Sequence, residues 1–364
     1  MKIGVDGGAL SITDDRLKVG VYRVVYNLLR ELGKINTENT YYIYSFLPID
    51  RELMREFGPG MVNKVLRPQK GWFSLRLPLE LSLNPVDVFL GTSQVVPSST
   101  SYNIGFIYDL GFLYYPDAYP GSYEKLKKQT RELVRKSQRI ITISHSAKSD
   151  IEKELGLPGE NITVAYPGVD SRFTKEGKTF KGKHPYFLFV GALKPGKNVP
   201  SLVKAFAEFL QKEKKVYDLY LIGGNFWNDP KIEKEIHAYK LEERVKKLGF
   251  VLDEDLPSYY RGAVAYVSPS YYEGFCLPLV EAFACGCPVI GSTKGAMPEI
   301  IGDAGIVVGP TDTEALEQAM HDMAYNAKKR KEYVAKGLHQ AQKYSWNSFA
   351  KAILREINAA RKIS

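Results

Sequence analysis

Glu273 and Glu281, with seven residues between them, frame the stretch of this sequence richest in chemistry. An apolar strand over 264–268 precedes Glu273, and Gly274, Phe275, Cys276 and Leu277 follow it. The expectation is a helix opening at Gly274 and Phe275. A helix N-terminus leaves backbone N–H groups without intrahelical partners, and its dipole favours an anion such as a diphosphate. Pro278 suits the first turn. Helical side chains lean toward the N-terminus, so Glu281 can lean back to the same ligand. Two carboxylates at one anion site suit hydroxyl recognition, with a sugar ring at one end and a ribose at the other. The dipole alone would account for Glu273 as a first-turn acid. It leaves unexplained an acid at 281 among Leu279, Val280, Ala282, Phe283 and Ala284.

A second candidate is the turn Gly191 to Asn198, which contains Lys194, Gly196 and Lys197 and follows a strand. A lysine there can neutralise a leaving diphosphate as a point charge, although a lysine in a glycine-rich turn also suits plain surface. A third is the N-terminal loop from Gly7 and Gly8 to Gly20, where a glycine allows a ligand to approach closely. His145 follows a strand between two serines, where a cleft residue or a surface cap would stand. The loop lacks the glycine spacing and the distant acid of a nicotinamide-binding fingerprint, and no P-loop pattern is present. Asp253-Glu254-Asp255 reads as a helix cap with first-turn acids rather than a metal-nucleotide site. Cys276, Cys285 and Cys287 have no nearby histidine to complete a metal site.

The elements that must carry these residues alternate between strands and amphipathic helices, which means crossover connections and parallel sheets. Strands are expected at 2–6, 41–46, 86–90, 104–108, 140–143 and 162–165. Val21, Val24, Val25, Leu28, Leu29 and Leu32 mark one helix face. The stretch 174–185, rich in lysine and glycine, reads as a linker, after which the pattern restarts with strands at 186–190, 217–222, 245–250, 264–268, 288–290 and 305–308. The expected fold class is α/β, with two Rossmann-like parallel-sheet domains facing each other across a cleft. The expected domains are 1–176, 185–344 and a terminal helix, 345–364, striped with Trp346, Phe349, Ala350, Ile353, Leu354 and Ile357.

The length of 364 residues fits two domains. No apolar run reaches a membrane span, the N-terminal stretch lacks a secretory core, and three cysteines make no disulfide framework. A cytoplasmic chain is therefore expected. Fifty Lys and Arg against 41 Asp and Glu give a net charge of +9, which points to an anionic partner. Residues 123–139 concentrate it: Lys125, Lys127, Lys128, Arg131, Arg135, Lys136 and Arg139 against Glu124 and Glu132. This helix suits either an anionic membrane surface, making the chain peripheral on the inner face, or a solvated outer face. No nucleic-acid-binding motif accompanies the charge.

Taken together these residues resemble glycosyltransferase family 4, retaining enzymes of the two-domain GT-B architecture. The resemblance covers nearly the whole chain. Glu273 to Glu281 resembles the family's E-x7-E signature, and Gly191 with Lys197 and Asn198 its phosphate turn. Tyr166-Pro167-Gly168-Val169-Asp170 is similar to the segment closing the first domain, and Gly20-Val21-Tyr22-Arg23 to the G-x-G-R helix start. Gly295, Pro298 and Glu299 resemble the loop after the next strand, and the terminal helix resembles one that crosses back to the first domain.

The resemblance implies transfer of a hexose from a nucleotide-sugar donor, GDP-mannose or a UDP-sugar, to a glycan or lipid-linked acceptor hydroxyl. That places the chain in polysaccharide or lipopolysaccharide biosynthesis, with no metal or other cofactor. It implies catalytic roles for Glu273, Lys197 and Asp109. Donor binding falls to Gly191, Lys197, Gly274, Phe275, Cys276, Leu277, Glu281 and Gly295. The acceptor side falls to Gly8, Gly20, Tyr108, Asp109 and His145. The sequence departs from the family pattern where Ala192 and Gly196 replace an arginine, where Tyr108 replaces a histidine, and where Tyr22 replaces a glycine. A nucleotide-sugar epimerase of the same fold, and a non-catalytic basic scaffold on membranes, remain alternatives. Oligomeric state is not legible.

Overall fold

The computed structural model describes residues 1–18, 20–119, 121–224 and 229–361. The chain divides into two units. One comprises Met1–Leu110, Gly121–Gly168 and Ser345–Ser364, and the other Gly111–Pro120 and Val169–Tyr344.

Among the described residues the first unit is built on seven strands: β1 (Lys2–Asp6), β2 (Thr40–Ser45), β3 (Met61–Val65), β4 (Val88–Gly91), β5 (Tyr102–Phe106), β6 (Arg139–Thr142) and β7 (Ile162–Val164). Their order is β3-β2-β1-β4-β5-β6-β7, and every neighbouring pair is parallel. The order reverses direction between β1 and β4, which opens a crevice at the carboxyl ends of those strands. Helix Val21–Ile35 buries Val24, Val25, Leu28, Leu29 and Leu32, the expected stripe except Val21, which is half-buried at the helix start. Helix Trp346–Ala360 belongs to this unit. Its N-cap Ser345 accepts the Ser348 N–H, and it buries Trp346, Phe349, Ala350, Ile353 and Ile357. Asn347 donates to Glu31, and Thr163 to Glu356. A Cβ on Gly168 would lie 2.1 Å from the Trp346 nitrogen, so the backbone must be bare where this helix starts.

The second unit is built on β8 (Tyr186–Val190), β9 (Asp218–Ile222), β10 (Val245–Gly249), β11 (Ala265–Ser268), β12 (Val289–Ser292) and β13 (Ile306–Val308). The order is β10-β9-β8-β11-β12-β13, again parallel throughout. Its switch point falls between β8 and β11. Helix Val199–Lys212 covers one face with Val199, Leu202, Val203, Phe206 and Phe209, packed on Phe187, Leu219 and Val267.

Three elements differ from the sequence expectation. Strand β3 was not expected, because Asn63 and Lys64 interrupt its apolar run; it survives as an edge strand with Val62 and Val65 exposed. The segment 174–185 is not a free linker. Phe180 stacks on Tyr259 at 4.3 Å, and Arg261 donates to the Thr174 and Lys178 carbonyls. Residues Gly111–Pro120 group with the second unit through Tyr114 stacked on Tyr272 and Tyr115 stacked on Tyr271.

Candidate active site

The two loops that leave β8 and β11 meet at the switch point of the second unit. The β8 loop runs through Gly191 into the 3-10 turn Pro195–Lys197 and ends at Asn198, whose φ of 54° suits asparagine. Asn198 is buried. Its side-chain amide donates to the carbonyls of Pro269 and Pro310, and its oxygen accepts from the Ser201 hydroxyl. The β11 loop is tied to this turn by the Tyr271 N–H, which donates to the Gly196 carbonyl at 3.0 Å. Gly191 has a φ of 155°, and a Cβ there would sit 3.8 Å from Lys197 Cε, so the lysine stem runs past bare backbone.

These ties bring Lys197 Nζ to 2.5 Å from Glu273 Oε1, with the two side chains 21% and 12% exposed. The Ser270 hydroxyl donates to the same oxygen at 2.7 Å. Burial pushes the Glu273 carboxyl up. The Lys197 charge, its hydrogen bond, that of Ser270 and the charge of Lys194 outweigh it and hold the carboxyl below its ordinary value. A charged pair is thus held at the carboxyl end of a parallel sheet, where α/β proteins bind ligands.

Gly295 acts on this pair through backbone. At a φ of 62°, its missing Cβ would fall 2.4 Å from the Glu273 carbonyl oxygen, and the neighbouring Ala296 N–H donates to that oxygen at 2.9 Å. The glycine read as a donor contact therefore presses on the loop that presents Glu273.

The helix begins later than the sequence suggested. It spans Leu277–Ala284, and Cys276 precedes it in the left-handed region with φ 72°. Gly274 and Phe275 therefore lie in the loop and not in the first turn. The Phe275 ring is buried edge-on against Tyr344 at 5.3 Å, so it anchors the loop. Cys276 is buried beside Tyr266, and burial pushes its thiol up to about 12. Cys285 and Cys287 are buried as well, and all three behave as small neutral core residues. Glu281 is 4% exposed and accepts the Tyr260 hydroxyl at 3.0 Å. Burial and the Glu281 charge both push the Tyr260 phenol up, so it stays a donor. Asp255 stands at the N-cap of Leu256–Gly262 without a side-chain cap bond, and no acid occupies that helix's first turn. This corrects the cap reading of residues 253–255.

In the first unit the crevice between β1 and β4 holds Asp6, Thr92, Ser93 and Tyr108. Asp6 closes β1, is buried, and accepts the Gly8 N–H on Oδ1 and the Ser93 N–H on Oδ2. Burial outweighs these bonds and raises its carboxyl. The Tyr108 hydroxyl donates to the Thr92 carbonyl at 2.6 Å, and burial and the Asp6 charge keep it protonated. Tyr108 therefore cannot take the part of a cation there. Asp109 follows it, half-buried. Gly20, at a φ of 49°, caps Val21–Ile35 with open space where a Cβ would be. His145 is exposed at the start of His145–Leu155, edge-on to Tyr166 at 5.9 Å.

Sequence reasoning missed Asp6, Ser270 and Tyr260. Asp6 carried a signal: an acid ending an apolar strand just before two glycines. Ser270 and Tyr260 carried none, because each gains its partner only by tertiary folding.

A family model described as "Glycosyl transferases group 1" matches residues 170–340, and one described as "Glycosyltransferase Family 4" matches residues 19–173. The O-antigen chain mannosyltransferase B of Escherichia coli is 28% identical over 271 residues, 72% of this chain and 71% of that protein. The O-antigen chain mannosyltransferase RfbU of Salmonella typhimurium is 28% identical over 259 residues, 69% of this chain and 68% of that protein. Among solved structures, sucrose-phosphate synthase of Thermosynechococcus elongatus matches with a TM-score of 0.81 at 18% identity, over 100% of both chains. HepE of Anabaena in complex with UDP and glucose matches with a TM-score of 0.74 at 15% identity, over 98% of this chain and 99% of that one. At these identities the structural likenesses speak to the fold.

Proposed function

The chain belongs to glycosyltransferase family 4 and has its GT-B architecture, and from that premise we propose that it is a retaining hexosyltransferase acting on a nucleotide-sugar. The observation that carries this reading is the Lys197–Glu273 pair at the switch point of the second unit. The donor diphosphate lies against Lys197 and the backbone of Gly274–Cys276. Glu273 accepts a hydroxyl of the sugar. Glu281 accepts the ribose hydroxyls, positioned by the Tyr260 hydroxyl it already accepts.

As the sugar–phosphate bond breaks, negative charge grows on the diphosphate, and a lysine already in place stabilises it without reorganisation. The acceptor hydroxyl attacks the face the nucleotide leaves, and its proton passes to the departing phosphate oxygen as the new glycosidic bond forms, which retains configuration. Within the first unit, Asp6 at the end of β1 and Asp109 beyond β5 are the groups proposed to bind acceptor hydroxyls. Lys197 supplies the cation, so the reaction proceeds without a metal, and a chelator leaves its rate unchanged.

Two relatives named for O-antigen mannosyl transfer support a mannosyl donor, GDP-mannose, and a glycan or lipid-linked acceptor. The UDP complexes among the structural neighbours make UDP-sugars the second donor class to assay. The basic helix Tyr123–Lys136 supports a cytoplasmic enzyme peripheral on an anionic membrane. The test is transfer, or slow donor hydrolysis, by the purified chain and by Glu273→Ala and Lys197→Ala. Loss in both variants supports the assignment, and intact transfer in both rejects it.

A further inference from the structure

The helical run 72–83 of the first unit consists of a π-helical turn, Trp72–Arg76, continued by the α-helix Leu77–Leu83. Trp72, Leu77 and Leu81 pack on Tyr44, Val86 and Phe89. Leu75, Leu79 and Leu83 point the other way and are 71%, 48% and 70% exposed. A spacing of four places the three on one side of the helix. Single exposed leucines are ordinary on a protein surface, whereas three in a row form a patch.

This patch shares a side of the sheet with the basic helix. Strands β4 and β5 pair in parallel, with Phe89 opposite Asn103 and Gly91 opposite Gly105. Residues two apart on a strand share a face, so Phe89, under the leucine helix, faces the same way as Gly105. A Cβ on Gly105 would lie 2.7 Å from Leu133 of Tyr123–Lys136. Both helices therefore cover one face of the sheet. Tyr123–Lys136 buries Thr130 and Leu133 and turns Lys128, Arg131 and Arg135 to the exposed side. None of these three cations forms an ion pair among the described residues. Arg67 and Lys70, also exposed, precede the leucine run. The acids on these elements are Glu80, bonded to Asn84, and Glu124 and Glu132.

We propose that this face of the first unit docks on an anionic lipid bilayer. Leu75, Leu79 and Leu83 enter the boundary between headgroups and acyl chains, while Lys128, Arg131, Arg135, Arg67 and Lys70 lie over the headgroup phosphates. The proposal rests on the membrane reading of the basic helix given above and adds the apolar element that a purely electrostatic contact lacks. A second copy of the chain fits this face poorly, since it would bring the two sets of cations together.

The full chain is sedimented with vesicles of phosphatidylcholine alone and of phosphatidylcholine mixed with phosphatidylglycerol, at low and high salt. The unaltered chain is expected to bind only the mixed vesicles. The variant L75Q/L79Q/L83Q is expected to lose about tenfold or more in binding, because its apolar insertion is gone. Leu75→Gln alone, at the most exposed position, is expected to lose several-fold and preserves the test if the triple variant misfolds. The variant K128Q/R131Q/R135Q is expected to bind weakly, with little dependence on salt.

Leucine variants that bind like the unaltered chain overturn the proposal. So does an unaltered chain that binds neither vesicle, or a dimer seen by light scattering that the leucine substitutions abolish. Loss of binding in the leucine variants with full binding in the charge variant removes the reading of the basic helix and leaves the leucine face standing.

Discussion

Replacing Lys197 by methionine removes the charge that the proposed mechanism relies on and keeps most of the side-chain stem. At 2.5 Å and an effective dielectric of about 20, the ammonium and the Glu273 carboxylate attract by about 6–7 kcal/mol. Methionine leaves the Glu273 carboxylate buried without that partner, so the stability lost near neutrality is about 3–5 kcal/mol. Catalysis is affected as well. By analogy with the removal of a preorganised oxyanion donor, the rate should fall about 10²–10³-fold.

The pH dependence has a defined sign. Glu273 sits below its ordinary value of 4.5. The pair's stabilisation is therefore complete above that pH and disappears as pH falls through the lower folded value. The difference in melting temperature between the unaltered chain and Lys197→Met should be constant near neutrality and begin to shrink where the pH reaches the raised carboxyl of the variant. In the variant, burial is no longer opposed by the lysine, so the carboxyl rises and the acid limb of the rate profile moves to higher pH. Steady-state kinetics with donor and acceptor, run beside thermal melts across pH, read both effects. Transfer within threefold of the unaltered rate would refute the reasoning.

Three further outcomes follow from the packing around the two sites. Gly295→Ala places a Cβ against the Glu273 carbonyl at a positive φ; it should lower stability by about 1–3 kcal/mol and abolish the melting shift produced by donor. Tyr260→Phe removes a hydroxyl from the buried Glu281 carboxylate. It should cost about 1–3 kcal/mol in denaturant melts and raise the donor KM more than it lowers kcat. Gly168→Ala forces Cβ into the first residue of Trp346–Ala360 and should loosen that helix, read as faster amide exchange in Trp346–Ala360 and in its packing partner Val21–Ile35.

What could be read from the sequence depended on whether a residue's part is local. Most strands were legible because they are short apolar runs between turn residues, and Glu273 stood out because an acid followed such a run. The start of Leu277–Ala284 was not legible, because Cys276 takes a left-handed conformation that nothing in its side chain announces. Gly295 was picked out, but its clearance against Glu273 becomes visible only when β12 lies beside β11. The leucine face was hidden by its own pattern. Residues 75–83 alternate leucine with Arg76, Pro78, Glu80 and Ser82, a period of two that resembles a strand. Wound into a helix, that alternation sets leucines all round, so some are buried under the helix and others left in solvent.

The proposed enzyme holds its nucleotide-sugar on the second unit, through Lys197 and Glu273. Thermal melts of the unaltered chain against a panel containing GDP-mannose, UDP-glucose and other nucleotide-sugars test it most directly. A bound donor stabilises by mass action, about 2.7 kcal/mol at a hundredfold excess over its dissociation constant. The melting temperature is expected to rise with at least one donor, GDP-mannose first among them, and the rise to be lost in Lys197→Ala and Glu273→Ala. A chain that no nucleotide-sugar stabilises, or one stabilised equally in both variants, would contradict it.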